Sequence, residues 1–161
     1  MLNEELLQLA ACVGARLKER GETVAVAESS AGGLISAALL AVPGASVYFR
    51  GGGVVYTTAA KHRLIGMTDT AMGRARPATQ THALELARAA RAALDTDWGI
   101  GETGAAGPDG NRYGDPAGHA SIGVVGSTEQ SVVVDTGVPD RPENMVAFAI
   151  AALRLLETAL R

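Results

Sequence analysis

The order in which helical and β-prone segments alternate is the feature that most constrains the fold of this chain. Apolar residues recur at helical spacing in 2–20, where Asn3 can cap the start and Gly21 can end the helix. Helical patterns cover 2–20, 32–41, 57–65, 80–94 and 142–160, and β-prone runs cover 23–27, 47–56, 98–103, 121–125 and 131–134. Early alternation and a late hairpin around 127–129 predict an α/β fold, a three-layer α/β/α sandwich with a mixed, mostly parallel sheet.

The composition limits the classes of protein to which this chain can belong. With 161 residues, 47% of them apolar and 19% charged, the chain can bury a core, and we expect one domain spanning 1–161. A net charge of −3 argues against broad binding to phosphate backbones, and 4% aromatic residues supply few surfaces on which bases could stack. We therefore expect no direct contact with nucleic acid. Apolar helix faces on a small α/β enzyme favour a homo-oligomer.

The N-terminal segment and the single cysteine bear on localisation. Residues 1–10 contain Glu4 and Glu5 and lack the basic start of a signal peptide. No apolar run is long enough to span a bilayer. Cys12 has no partner for an intrachain disulfide, which fits a reducing compartment. The sequence predicts a cytoplasmic protein that does not associate with membranes.

The segment Glu28-Ser29-Ser30-Ala31-Gly32-Gly33 is the first candidate site. It joins a predicted strand to a predicted helix, and the first N–H groups of a helix can bind a phosphate or an oxyanion. Gly32 and Gly33 allow a ligand to approach the backbone closely. The same pattern is also that of an ordinary helix cap, which is its commoner meaning when it occurs alone. It is neither a P-loop nor a G-x-S-x-G elbow.

Lys61 is the second candidate. It falls near the start of a predicted helix, where the helix dipole disfavours a cation and lowers the pKa of the amine. A neutral lysine next to a serine can activate the serine hydroxyl. The alternative is a solvated surface lysine, the usual position of this residue type. His62 and His82 fall in helical patterns, and we expect them on the surface.

The third candidate is the loop 104–118, rich in glycine and proline. At the end of a strand such a loop is typical of ligand binding in open α/β sheets, although a mobile surface connection has the same composition. Asp109, Asp115 and His119 match no metal-binding spacing, so we expect no metal site.

Taken together, these segments resemble the CinA C-terminal domain family, the nicotinamide-nucleotide amidohydrolases. The resemblance covers nearly the whole chain. The motifs A-E-S-C-T-G-G, V-x-Y-S-N-x-A-K, G-x-A-G-P-x-G and G-D-R are matched, the last only in part, at 27–33, 54–61, 104–110 and 139–141.

The resemblance implies a three-layer α/β/α domain that hydrolyses the carboxamide of nicotinamide mononucleotide, a pyridine nucleotide, to nicotinic acid mononucleotide and ammonia. It implies a Ser–Lys mechanism without metal or cofactor. Ser29 corresponds to the nucleophile and Lys61 to its general base, while Tyr56 is expected to form a hydrogen bond within the site. The residues expected to bind substrate are Glu28, Ser30, Gly32, Gly33, Gly104, Ala105, Gly107, Arg112 and Arg141.

Departures from the family pattern leave the substrate open. Ser30 and Ala31 stand where the family has Cys and Thr, and several basic residues of the family motifs are absent or displaced. Because guanidinium contacts to phosphate are hard to replace, we hypothesise that Arg112 takes over one of them. Two alternatives remain: a Ser–Lys amidohydrolase for a different amide, and a nucleotide-binding protein without catalytic activity.

Overall fold

A five-stranded mixed sheet forms the centre of the protein, and the computed structural model describes all residues from Met1 to Arg161. The strands are β1 (Val24–Glu28), β2 (Phe49–Val54), β3 (Trp98–Ala105), β4 (His119–Val125) and β5 (Glu129–Asp135), in the order β2-β1-β3-β4-β5. β1 pairs in parallel with β2 and β3, whereas β4 is antiparallel to β3 and β5. All strands except β4 therefore point in one direction, which confirms the predicted mixed, mostly parallel sheet.

Helices cover both faces of the sheet. They are α1 (Glu4–Arg20), α2 (Leu34–Leu40), α3 (Thr58–Ile65), α4 (Asp69–Gly73), α5 (Gln80–Leu94) and α6 (Arg141–Ala159). α1, α2 and α6 share the larger apolar cluster with one face of the sheet, and α3 and α5 contribute to a smaller cluster on the other face. The three-layer prediction is thus confirmed. None of these helices combines the length and apolar character needed to cross a membrane.

The local signals in the sequence set the ends of several helices. Asn3 Oδ1 accepts the N–H of Leu6 at 2.9 Å, and Gly21 ends α1 with a φ of 64°. Thr57 caps α3 by accepting the N–H of Ala60 at 3.1 Å. The short helix α4 and the 3-10 turn Ala45–Val47 were not predicted, because neither is long enough to show a helical period.

Strand β3 has two chemically different faces because side chains alternate along a strand. Gly99 and Gly101 face α5, and a Cβ on them would lie 2.1 Å from the carbonyl oxygen of Ala87 and 2.0 Å from that of Ala83. Only glycine allows the helix backbone so near to the strand. Trp98 and Ile100 point to the other face and join the larger apolar cluster.

The parallel pairing also brings the site residues to one edge of the sheet. Glu28 at the end of β1 pairs with Val54 at the end of β2, and Ala27 pairs with Gly101 of β3. The carboxyl ends of these three strands therefore meet, which is where open α/β sheets bind ligands.

We expect Gly101→Ala to lower the free energy of unfolding by about 1–3 kcal/mol, because the added methyl group forces β3 and α5 apart. Urea denaturation followed by circular dichroism measures this loss. Gly53→Ala is the matched control, since the nearest atom to its Cβ would be 3.5 Å away, and we expect a change within about 0.5 kcal/mol. Equal stabilities of the two variants would show that the close approach of α5 has no energetic importance.

Candidate active site

Glu28 holds the start of α2 from inside the protein. This fully buried residue ends β1, and its Oε1 accepts the N–H groups of Gly33 at 2.9 Å and Ile35 at 3.0 Å. Its Oε2 accepts the N–H of Ser36 at 2.9 Å and the hydroxyl of Ser36 at 2.8 Å. The sequence predicts Glu28 as a substrate-binding residue, but these four hydrogen bonds use its acceptor positions within the turn.

A second buried carboxylate, Glu102 of β3, holds the turn itself. Its Oε2 accepts the N–H groups of Ser29 at 2.9 Å and Ala31 at 2.8 Å, and its Oε1 accepts the hydroxyl of Ser30. Glu102 is not among the residues that the sequence predicts for the site. The sequence feature that could have identified it is an acidic residue inside an otherwise apolar and glycine-rich strand. An unpaired charge is costly there, so such a residue is expected to have hydrogen-bond partners.

These two carboxylates occupy most of the backbone donors that the sequence suggested for an anion. The N–H of Gly32 is also bound, to the carbonyl of Ser29 at 3.1 Å. The N–H of Ser30 has no partner within the protein. It is therefore the backbone donor that the turn can offer to a developing oxyanion.

The two serines of the turn differ in their surroundings. The Ser30 side chain is buried, and its hydroxyl donates to Glu102. Ser29 is only half-buried, and its hydroxyl forms no hydrogen bond within the protein. Ser29 is thus the hydroxyl available to a ligand.

Lys61 lies in the first turns of α3 and is 6% exposed. Its Nζ is 3.0 Å from Nε2 of His82, and no hydrogen bond joins it to Ser29. Burial lowers the pKa of the Lys61 amine. The expectation that His82 lies on the surface is wrong: it is 2% exposed, because it occupies the face of α5 that packs towards α3.

Arg141 connects three of the sequence motifs. It begins α6, and its Nη2 donates to the hydroxyl of Tyr56 at 3.1 Å while its Nη1 donates to the carbonyl of Gly107 at 2.6 Å. The Tyr56 side chain is 58% exposed beyond the end of β2. Tyr56, Gly107 and Arg141 are therefore adjacent in space, and the guanidinium keeps further N–H groups for a ligand.

The glycines of the predicted site have close neighbours. A Cβ on Gly104, near the end of β3, would lie 2.6 Å from Cβ of Ala120, and one on Gly107 would lie 2.6 Å from the carbonyl oxygen of Pro139. Gly107 also has a φ of 110°, which favours glycine. Between them, Ala105 ends β3 and is buried. Gly32 is exposed, with a φ of 67°, and a Cβ there would lie 2.6 Å from Cε of Met145.

Arg112 lies on the exposed part of the loop that follows β3. Its Nη2 donates to the hydroxyl of Tyr113 at 2.8 Å, and its guanidinium lies 5.0 Å from the centre of the Tyr113 ring. Arg76 anchors the loop through an ion pair with Asp115 at 2.7 Å, which lowers the pKa of Asp115 to about 2. A phosphate contact by Arg112 stays a prediction.

Asp115 and His119, which the sequence analysis considered as metal ligands, are paired with other side chains. Asp115 is paired with Arg76, and His119 Nδ1 lies 2.7 Å from a carboxylate oxygen of Asp135. No group of three or more histidine, cysteine, aspartate or glutamate side chains in the protein is placed to coordinate a cation.

Comparison with known proteins shows the family to which the chain belongs. The model of the CinA C-terminal domain matches residues 6–160. The chain belongs to the CinA C-terminal domain family. It is 39% identical over 149 residues to a CinA-like protein from Anaeromyxobacter dehalogenans, covering 92% of this chain and 36% of that protein. A CinA-like protein from Salinibacter ruber is 36% identical over 145 residues, covering 90% and 35%. The chain thus spans little more than a third of the length of these CinA-like relatives.

Solved structures support the same fold. A competence/damage inducible protein from Agrobacterium tumefaciens has a TM-score of 0.90 and 26% identity, covering 99% of this chain and 98% of its own. A competence-damaged protein (CinA) superfamily protein from Escherichia coli has a TM-score of 0.87 and 25% identity, covering 98% and 94%.

The pH dependence of stability tests the role of Glu102. Burial raises the pKa of its carboxyl above the ordinary 4.5, so the folded protein binds this proton more tightly than the unfolded chain does. Protonation of Glu102 therefore favours folding, and its contribution to the free energy of unfolding falls as the pH rises above the ordinary value. Glu102→Gln keeps an oxygen acceptor for the turn but cannot ionise.

We expect Glu102→Gln to gain stability relative to the unmodified protein as the pH rises from about 5 to about 8, as measured by urea denaturation. The exposed Glu19 gives the control Glu19→Gln, for which no such gain is expected. A stability difference for Glu102→Gln that stays constant across this range would contradict the assignment.

Proposed function

We propose that this protein is an amidohydrolase that converts nicotinamide mononucleotide to nicotinic acid mononucleotide and ammonia. Its membership of the CinA C-terminal domain family supports the proposal. The observation that carries it is that an available hydroxyl, that of Ser29, and a buried amine of lowered pKa, that of Lys61, follow the ends of the neighbouring parallel strands β1 and β2. A neutral amine at this position can act as a general base.

In the proposed reaction the Ser29 Oγ attacks the carboxamide carbon while Lys61 takes the hydroxyl proton. The N–H of Ser30 stabilises the oxyanion of the tetrahedral intermediate. Collapse of the intermediate breaks the C–N bond, and the proton held by Lys61 goes to the departing nitrogen as ammonia forms. A water molecule, deprotonated by Lys61, then hydrolyses the ester and restores the Ser29 hydroxyl.

The site requires one adjustment for this reaction. The Lys61 amine contacts His82 and has no hydrogen bond to Ser29. Hydrogen bonds between catalytic groups are often formed only in the complex with substrate. Arg141 is hydrogen-bonded both to Tyr56 and to the loop after β3, which supports the proposal that Tyr56 and Arg141 contact the nucleotide portion of the substrate.

We expect Ser29→Ala to reduce ammonia release from nicotinamide mononucleotide by at least about a thousandfold, because the nucleophile is lost. Ser30→Ala is the matched variant in the same turn. It removes the hydroxyl that donates to Glu102, so we expect a lower melting temperature with most of the activity retained. Ammonia release by Ser29→Ala at the normal rate would exclude this mechanism.

The phosphate hypothesis for Arg112 has its own test. We expect Arg112→Ala to raise the KM for nicotinamide mononucleotide about three- to tenfold with little change in kcat, because a charge-assisted hydrogen bond to phosphate is lost. Steady-state kinetics with nicotinamide riboside, which lacks the phosphate, should show no such change. Arg161→Ala, at the end of the chain, is the control for the loss of a surface charge. An unchanged KM for the mononucleotide would remove Arg112 from the site.

The contact between Lys61 and His82 also favours a second candidate, a nucleotide-binding protein without catalytic activity, since the amine that would act as the base is hydrogen-bonded to a histidine and not to the nucleophile. Calorimetry separates the two functions: tight binding of the mononucleotide without ammonia release would favour the second. Turnover of a different amide in a substrate panel would instead keep the Ser–Lys chemistry and change the substrate.

A further inference from the structure

Lys61 and His82 form a buried pair between α3 and α5. The Lys61 Nζ lies 3.0 Å from His82 Nε2, and His82 Nδ1 lies 3.0 Å from the carbonyl oxygen of Ala75. A carbonyl oxygen only accepts hydrogen bonds, so Nδ1 carries the proton and Nε2 carries the lone pair. The Lys61 amine is therefore the donor to His82.

The charges around the pair keep His82 an acceptor. Burial, and then the charge that Lys61 carries when it is protonated, lower the pKa of the imidazole, which favours its neutral form. Glu85, also on α5, acts in the opposite direction. Its carboxylate is itself paired with Arg74 at 2.9 Å and Arg88 at 2.8 Å, which offsets its charge.

A neutral lysine amine has two N–H groups and one lone pair. Donation of one N–H to Nε2 of His82 limits the rotation of the amine about its last bond to two orientations, and in both of them the lone pair points away from the imidazole. An aliphatic side chain at position 82 would fill similar space but would leave the amine free to rotate. The histidine therefore restricts the orientation of the Lys61 amine, which packing alone cannot do.

We propose that His82 is a positioning residue: it accepts one N–H of the Lys61 amine and so keeps the amine's lone pair on the side away from the imidazole, where the lone pair takes the proton of the Ser29 hydroxyl. This inference rests on the proposed function, in which Lys61 takes the proton of Ser29. His82 itself contacts neither the substrate nor the reacting atoms. It acts only through Lys61.

The chain offers a direct probe because it contains two lysines, Lys18 and Lys61. In protein labelled with carbon-13 at lysine Cε, each lysine gives one signal whose shift follows protonation. His82→Leu removes the acceptor for the Lys61 ammonium, so we expect the titration midpoint of Lys61 to fall by about one pH unit. The Lys18 signal is the internal reference and should titrate alike in all variants.

Two kinetic measurements accompany the titration. With nicotinamide mononucleotide, His82→Leu should lower kcat roughly ten- to a hundredfold without raising KM, because only the orientation of the base is lost. The rate at which p-nitrophenyl acetate acylates Ser29, followed by mass spectrometry, should fall in the same way and does not depend on the natural substrate. His82→Gln, which keeps an acceptor oxygen, should restore the titration and both rates towards normal. His62→Gln is the control for a neighbouring histidine.

The outcomes separate the two proposals. If the unmodified protein releases no ammonia from the mononucleotide, the proposed function fails, and the role of His82 is judged from the Lys61 titration and the acylation of Ser29. If His82→Leu leaves either the titration or the acylation rate unchanged, the positioning role is overturned. Should His82→Leu fail to fold, His82→Asn replaces it, since its shorter side chain does not reach the Lys61 amine.

Discussion

The direct packing of α5 on the glycine face of β3 is the constraint on which the rest of the site depends. Gly99 and Gly101 allow the helix backbone to approach to distances that no larger side chain would permit. This approach fixes α5, and with it His82, against the end of the sheet. The opposite face of the same strand presents Glu102 to the serine turn. Strand β3 therefore positions two groups of the candidate active site: the imidazole that contacts Lys61 and the carboxyl group that accepts the backbone N–H of Ser29.

The serine turn shows how buried carboxylates can take the place of a bound anion. Backbone N–H groups at the start of a helix attract the oxygens of an anion, and here the carboxyl oxygens of Glu28 and Glu102 accept these groups from within the protein. Taking two carboxyl groups out of water is costly, and the hydrogen bonds of the turn offset part of this cost. The result is a rigid turn in which the Ser29 hydroxyl and the Ser30 N–H are left for chemistry. Rigidity of this kind suits a nucleophile, because a small displacement of a reacting group slows a reaction strongly.

Much of the fold could be predicted because its signals are local. The caps at Asn3 and Thr57 and the helix end at Gly21 depend on residues within one turn of each other, and the strands follow from short runs of β-prone residues. The pairings of Glu102 with the turn and of His82 with Lys61 join residues 72 and 21 positions apart in the chain. No local sequence pattern predicts contacts between residues so far apart in the chain. A histidine in a helical pattern is as compatible with solvent as with burial, and only the packing of α5 decides between them.

The sequence by itself determined the order of the elements other than α4 and the 3-10 turn, the family, and the set of motifs that meet at the carboxyl ends of the parallel strands. These follow from periodicity, from local capping and from the identity of short segments. The tertiary structure alone decided which of two adjacent serines is available, because only burial and hydrogen bonding distinguish them. Ser30 points to Glu102 inside the protein, whereas the hydroxyl of Ser29 has no partner there. It also decided the partner of Lys61, since a buried amine takes the acceptor that lies nearest in space, and neighbours in space are set by the sheet and its helices.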